Sequence, residues 1–233
     1  MSEPARLAAV FFDPKRAFSD IATRPSWWAP LLLNILAALA FVTAYSQRIG
    51  WERYLERALE SNPRTESLTA EQRQRIVEQQ AGLAAAFGYV GAVAGSALSL
   101  SAVAGLLLLA SNVALGAAAS FRQMFAVTCY GFLPNALSSL LGILMMFLKH
   151  PEDFDLENPT AFNIGAYLDP AATPKWLLAA AGSVDLFSIW AMLLLALGVS
   201  AAGQKVRYGR ALAAILVLWL AWILLKVLRY ALF

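Results

Sequence analysis

Charge is scarce in this chain: Lys, Arg, Asp and Glu together make up 14% of its 233 residues, against 60% apolar ones. That balance lies outside the range of a soluble globular domain and calls for lipid as the solvent. Cysteine is nearly absent. The one residue, Cys129, falls inside an apolar run, which excludes a disulfide framework and a thiolate metal cluster. Histidine is equally rare, and the one present, His150, stands beside Pro151 at the edge of an apolar run. With no His-Glu-x-x-His and no Gly-x-Ser-x-Gly pattern, the usual hydrolytic constellations lack their parts. Long basic runs are missing too, so nucleic acid is not an expected partner. The formal charge of +3 is what Lys and Arg facing anionic membrane lipid give.

What the chain does contain is long uncharged runs, alternating with short segments that hold nearly all the charge. Hydrocarbon about 30 Å thick needs roughly 20 residues of helix. Five runs qualify: Trp27–Gln47, Leu83–Ala119, Met124–Leu148, Trp176–Gly203 with one charge inside it, and Ala211–Val227. The second is about 37 residues long, too long for one perpendicular crossing and too short for two with a turn. The fold class is therefore all-α: a polytopic transmembrane bundle of about five spans, with short amphipathic helices at the interface. It divides into an N-terminal segment, 1–26, and one transmembrane domain, 27–233, with external loops at 48–82 and 149–175. The first apolar run is long enough to span and its basic leader too long for a signal peptide, so the run is expected to stay attached.

Orientation follows from Lys and Arg near the ends of spans, which are held back on the cytoplasmic side during insertion. Arg6, Lys15, Arg16 and Arg24 precede the first span, Arg122 follows the second, and Lys205, Arg207 and Arg210 follow the fourth. These place the N-terminus in the cytoplasm and the C-terminus outside. The segment Arg48–Gly82 also has six cations, but it is longer and carries six Glu.

The connections have structure of their own. Leu7, Val10, Phe11, Phe18 and Ile21 interleave with Lys15, Arg16 and Asp20, which reads as an interfacial segment ending at the Trp27–Trp28 belt. Trp51, Tyr54, Leu55, Ala58 and Leu59 recur at helical spacing, so an amphipathic helix is expected until Asn62 and Pro63 break it. Thr69 with Gln72 forms a capping-box pattern that starts another helix feeding the second span. The segment 150–175 contains four prolines and is irregular. Its Glu152, Asp153, Asp155 and Glu157 lack the turn glycine and terminal Glu of a calcium loop, and no metal or other cofactor is expected.

Inside the membrane the informative residues are polar. Asp185 lies about ten residues into the fourth run, where an ionised carboxylate costs at least about 2.5 to 3.5 kcal/mol unless paired or hydrated. Ala181, Gly182 and Ser188 share its helical face, so a small-polar stripe turns it into the bundle. Its candidate partners are Asn34, Asn112, Tyr130 and Asn135, none of them cationic. A structural hydrogen-bonding acid and a proton or cation relay both remain open. Gly91 and Gly95, four apart, allow close helix approach, more readily within the chain than in a dimer. Pro134 removes the hydrogen bond to the Tyr130 carbonyl, and a kink beside Asn135 follows.

Several short motifs stand in a fixed order: Phe12-Asp-Pro-Lys-Arg-Ala-Phe18, Arg24-Pro-Ser-Trp-Trp28-Ala-Pro30, Tyr130-Gly-Phe-Leu-Pro134, Asn158-Pro-Thr-Ala-Phe-Asn163 with Gly165-Ala-Tyr-Leu-Asp169, and Gly182-Ser-Val-Asp185-Leu-Phe-Ser-Ile-Trp190. Together they resemble the bacterial branch of the Ypt-interacting-protein (Yip) family over nearly the whole chain. The resemblance implies a five-span protein of the bacterial inner membrane with a cytosolic N-terminus. Eukaryotic members are associated with small Rab-type GTPases through a long cytosolic N-terminal segment. About 26 residues precede the first span here, a departure from the family's pattern that makes small-GTPase binding a doubtful expectation. The expected function is a non-enzymatic scaffold or adaptor in membrane organisation or a trafficking-like process. Its partners are lipid and either another membrane protein or a second copy. The alternative is a small transporter or channel using Asp185.

Overall fold

A computed structural model describes residues 1–60, 65, 67–156, 158–169, 172–203 and 206–232. Among these the chain is helical nearly throughout, and its only strand-like pairing is one antiparallel bridge between Asn163 and Asp185. Four helices are long and apolar enough to cross a membrane. α3 (Trp28–Arg48) is the first. The second is a continuous helix of 45 residues, Ala70–Ala114, built from α5 (Ala70–Val90), a π-helical segment Gly91–Gly95, α6 (Ser96–Leu109) and a second π-helical segment Ala110–Ala114. The third joins α7 (Phe121–Gly131) to α8 (Leu133–Leu148). The fourth is α11 (Tyr208–Leu232).

The fourth apolar run behaves differently from a plain span. It folds as α9 (Lys175–Gly182) and α10 (Leu186–Ala202), separated by a non-helical step. Seventeen residues of α10 rise about 25 Å, just short of the hydrocarbon thickness, and α9 completes the crossing. The protein is thus an all-α polytopic membrane bundle, and the expected fold class is met.

The excess length of the second span has the expected origin. Thr69 Oγ1 accepts from Gln72 N at 3.3 Å while Gln72 Oε1 accepts from Thr69 N at 2.9 Å, so the capping box starts α5 well before the apolar run. At about 1.5 Å per residue the whole helix is about 65 Å long, twice the hydrocarbon thickness. α4 (Trp51–Glu60) folds back on its projecting part: a Cβ on Gly88 would sit 2.5 Å from the Trp51 ring, so only glycine admits the indole there. Arg57 in turn donates to the carbonyls of Phe154 at 2.6 Å and Glu152 at 2.5 Å, tying α4 to the 150–156 segment. The breakers proposed for the end of α4, Asn62 and Pro63, lie outside the described residues.

The N-terminal segment packs more deeply than an interfacial strip. α1 (Glu3–Phe12) and α2 (Pro14–Thr23) form a hairpin turned by Asp13, whose carboxylate accepts from Arg16 N at 3.4 Å, with Pro14 at the first helical position. The Phe12–Phe18 motif is this turn and the residues it buries. Ala17, Phe18 and Ile21 are fully buried against α7 and α10. A Cβ on Gly198 would lie 2.9 Å from the Phe18 ring and 2.3 Å from a Val127 methyl, so the ring occupies the space that glycine leaves on α10. Phe11 meets Trp190 edge-on at 5.5 Å between ring centroids.

Replacing a fully buried phenylalanine leaves a cavity the surroundings fill only in part. Phe18→Ala is expected to lower stability by about 3 kcal/mol, measured by denaturant titration in detergent micelles. Stability equal to the parent would contradict the docked hairpin.

Candidate functional site

Three polar arrangements lie within or against the bundle. The first is the break in the fourth crossing. α9 ends at Gly182, and Ser183 closes it by donating from Oγ to Ala179 O at 2.7 Å. Val184 and Asp185 leave the helix, and Asp185 Oδ1 accepts from Phe187 N and Ser188 N, both at 2.9 Å. Asp185 is therefore the N-cap of α10 in an extended backbone conformation, φ −123° and ψ 157°. A capping carboxylate serves two of the amides a helix start leaves orphaned and sits at the favourable end of the helix dipole.

This corrects the expectation of a mid-helix acid turned into the bundle by a small-polar stripe. An Asp side chain competes with helical backbone by bonding amides two and three residues ahead. Gly182 before it supplies a helix end, so the four residues form a stop and a restart.

The loop segment 158–168 closes over that break. Ile164 N donates to Val184 O at 3.3 Å and Leu186 N to Phe162 O at 3.1 Å, as in a short piece of sheet. Asn163 Oδ1 accepts from Ala166 N at 2.9 Å and holds the loop's single 3₁₀ turn, Ile164–Tyr167. A Cβ on Gly165 would stand 2.8 Å from Gly182 N, so the loop backbone rests directly on the end of α9. From α11, Lys226 Nζ donates to Ser183 Oγ at 3.3 Å. A cation therefore lies near Asp185 although none was expected among its neighbours.

The second arrangement is a groove of about 240 Å³ between α3, α6 and α8, lined by Asn34, Ser96, Ser99, Phe132, Asn135 and Ser139 among others. Asn34 Nδ2 donates to Pro30 O at 2.8 Å and Cys129 O at 3.1 Å, tying the first span to the third. Ser99 and Ser139 donate to the carbonyls of Ser96 and Asn135 on their own helices, both at 3.1 Å. Asn135 Oδ1 is buried with no hydrogen-bond partner. The floor is irregular because a one-residue turn at Phe132 separates α7 from α8, with Pro134 in the first turn of α8 next to Asn135. On the groove's α6 side, Gly91 and Gly95 occupy the π-helical segment. A Cβ added to either meets nothing within 4 Å, although the segment itself packs on α3. Ala92, next to Gly91, is the residue the segment buries.

The third arrangement escaped the sequence. Arg6, 3% exposed, donates to Asp20 at 2.6 Å and to Glu3 at 3.2 Å, and the fully buried Tyr130 donates its hydroxyl to Glu3 at 2.7 Å. The Asp20 carboxyl is held below its usual value chiefly by the hydrogen bond from Arg6. Burial opposes the charge on Arg6, but Asp20 and Glu3 more than restore it, so its value is raised. Arg6 sits one helical turn before the buried Val10, and a charge on an apolar stripe was the available signal.

The proposed partners of Asp185 are thus distributed elsewhere. Asn34 and Asn135 line the groove and Tyr130 joins the Arg6 cluster. Asn112 exchanges hydrogen bonds with Ala119 at 2.8 and 2.9 Å, closing the turn after the second span.

The sequence model of the Yip1 domain matches residues 8–228. The chain belongs to the Yip1 domain family. It is 27% identical over 202 residues to "Membrane protein YknW" of Bacillus subtilis (strain 168), covering 87% of this chain and 80% of that protein. No solved structure matches. The match places this Yip1-family chain as a multi-pass membrane protein. Three of the short sequence motifs, Asn158–Asn163, Gly165–Asp169 and Gly182–Trp190, meet at the break in the fourth crossing.

Asparagine caps helices nearly as well as aspartate, whereas leucine does not cap. Asp185→Asn is expected to keep the parent's stability, and Asp185→Leu to lose about 1 to 2 kcal/mol, both read by denaturant titration in micelles. Equal stability of the Leu variant would show that the cap is dispensable.

Proposed function

We propose that this Yip1-family protein is a non-enzymatic membrane adaptor, a scaffold that holds other membrane helices by lateral contact. The observation that carries the reading is the open face of α6 and its π-helical segment. Gly91, Gly95 and Ser99 lie along it beside a polar groove, and a Cβ added to either glycine would meet nothing within 4 Å. Small residues at that spacing lower the cost of bringing a second helix to backbone distance. The transport alternative draws less support, because Asp185 Oδ1 is committed to the α10 cap.

The orientation proposed from the charge distribution puts α7's start and α11's start on the cytoplasmic side, with α4 and the 158–168 loop outside. In a Cys129→Ala background, cysteines at Glu60 and Thr160 are expected to react with an impermeant thiol reagent applied to intact cells, and one at Arg207 only after permeabilisation. The reverse pattern would invert the topology.

The adaptor reading is tested by placing a photoreactive amino acid at Leu98, which is exposed on the face that carries the two glycines. In native membranes a discrete protein adduct identified by mass spectrometry is expected. Adducts to lipid alone would contradict the reading.

A further inference from the structure

We propose that the α1–α2 hairpin is a lipid-binding element: α1 lies among the acyl chains of the leaflet on its side of the membrane, and α2 gathers acidic phospholipid headgroups with Lys15 and Arg16. The inference goes beyond the adaptor reading and does not depend on it.

The hairpin divides its outward surface by chemistry. On α1 the exposed positions are Pro4, Ala5, Ala8 and Phe12, all apolar and about one turn apart, and Phe12 beside the turn is 89% exposed. On α2 the exposed positions are Lys15, Arg16, Ser19 and Thr23, all polar. An apolar helix face joined to a basic one suits the level at which acyl chains meet phosphate.

The charge left on that surface depends on which ionised groups the fold consumes. Glu3 accepts from Arg6 at 3.2 Å and from Tyr130 at 2.7 Å, and Asp20 accepts from Arg6 at 2.6 Å. Asp13 is the one carboxylate of the hairpin left exposed, and it caps α2 by accepting from Arg16 N at 3.4 Å. Lys15, Arg16 and Arg24 are exposed, and among the described residues their side chains have no acceptor. The hairpin spends its acids inside the protein and presents its cations outward, which complements an anionic surface.

The setting identifies that surface as lipid. α2 rests on α7 and α10, parts of the third and fourth crossings, and leads within five residues into α3, the first. Arg122 at the start of α7 donates to Pro25 O at 3.1 Å, which pins the base of the hairpin to the end of the bundle. Trp27, Trp28 and Phe121 are exposed around this junction, with the Trp27 ring 5.4 Å from that of Phe125. Exposed tryptophans at the ends of crossing helices collect at the membrane–water boundary. The hairpin's base therefore stands at that boundary, where Lys and Arg attract anionic headgroups in a salt-dependent way.

The test uses the full-length chain with Cys129→Ala, carrying one environment-sensitive fluorophore, in vesicles of equal parts phosphatidylcholine and phosphatidylglycerol. Attached at Phe12→Cys, the fluorophore is expected to be quenched by a spin label on the acyl chains and shielded from iodide present on both sides. Quenching by iodide and not by the acyl label would put the hairpin in water, as a surface for a soluble partner, and overturn the proposal. Attached at Ser19→Cys, one turn from Lys15 and Arg16, it reports the choice of headgroup. Spin-labelled phosphatidylglycerol is expected to quench it about threefold more than spin-labelled phosphatidylcholine. Lys15→Gln combined with Arg16→Gln, both at exposed positions, is expected to remove most of that preference while the Phe12 reading stays as in the parent. No preference in the parent, or an undiminished one in the double variant, would overturn the proposal.

Discussion

Hydrocarbon offers no hydrogen bonds, so every backbone group that leaves a helix at membrane depth must find its partner inside the protein. That constraint organises the structure. At the break in the fourth crossing, Asp185 serves two amides of α10, and the 158–168 loop supplies Phe162 O to Leu186 N and takes a bond to Val184 O. At the turn after the second span, Asn112 both gives to and receives from Ala119. Ser120 and Gln123 then form a capping box that starts α7. Each departure from regular helix is matched by a side chain or loop placed to complete it.

The same logic explains why the N-terminal hairpin docks so closely. Arg6 on the buried stripe of α1 requires acceptors, and Glu3 and Asp20 provide them from the hairpin itself, leaving only Tyr130 to link the cluster to the bundle. Packing rather than charge then sets the position. Gly198 leaves room for Phe18, and Gly131 for Leu195, where a Cβ would approach a methyl to 2.5 Å. Against this background Asn135 Oδ1, like Trp51 Nε1 in α4, is one of the polar atoms that the described residues bury without a partner. It lies near the π-helical segment Gly91–Gly95, where a Cβ added to either glycine would meet nothing within 4 Å.

Much of the architecture was legible in the residues. Charge-free runs located the four long helices, since hydropathy over about 20 residues reports burial in lipid directly. Local chemistry located α4 and the Thr69 start of α5, because a capping box and an amphipathic stripe act within a few residues. The break at Asp185 was not legible from hydropathy, which averages across three non-helical residues without registering them. Its signal was a glycine followed three residues later by a capping aspartate. Gly91 and Gly95 show a different limit: their spacing states that a helix could approach closely, and it contains nothing about which helix does. The destinations of Asn34, Asn112 and Tyr130 depend on how distant helices rotate, and no local pattern encodes that.

The central claim is that the fourth crossing is two helices joined by a non-helical step that Asp185 closes. Backbone chemical shifts from solid-state nuclear magnetic resonance of the labelled protein in lipid bilayers address it most directly. Extended-type Cα and Cβ shifts at Asp185, with helical values on either side over 175–182 and 186–202, are the expected result. Unbroken helical shifts from 175 to 202 would contradict the account.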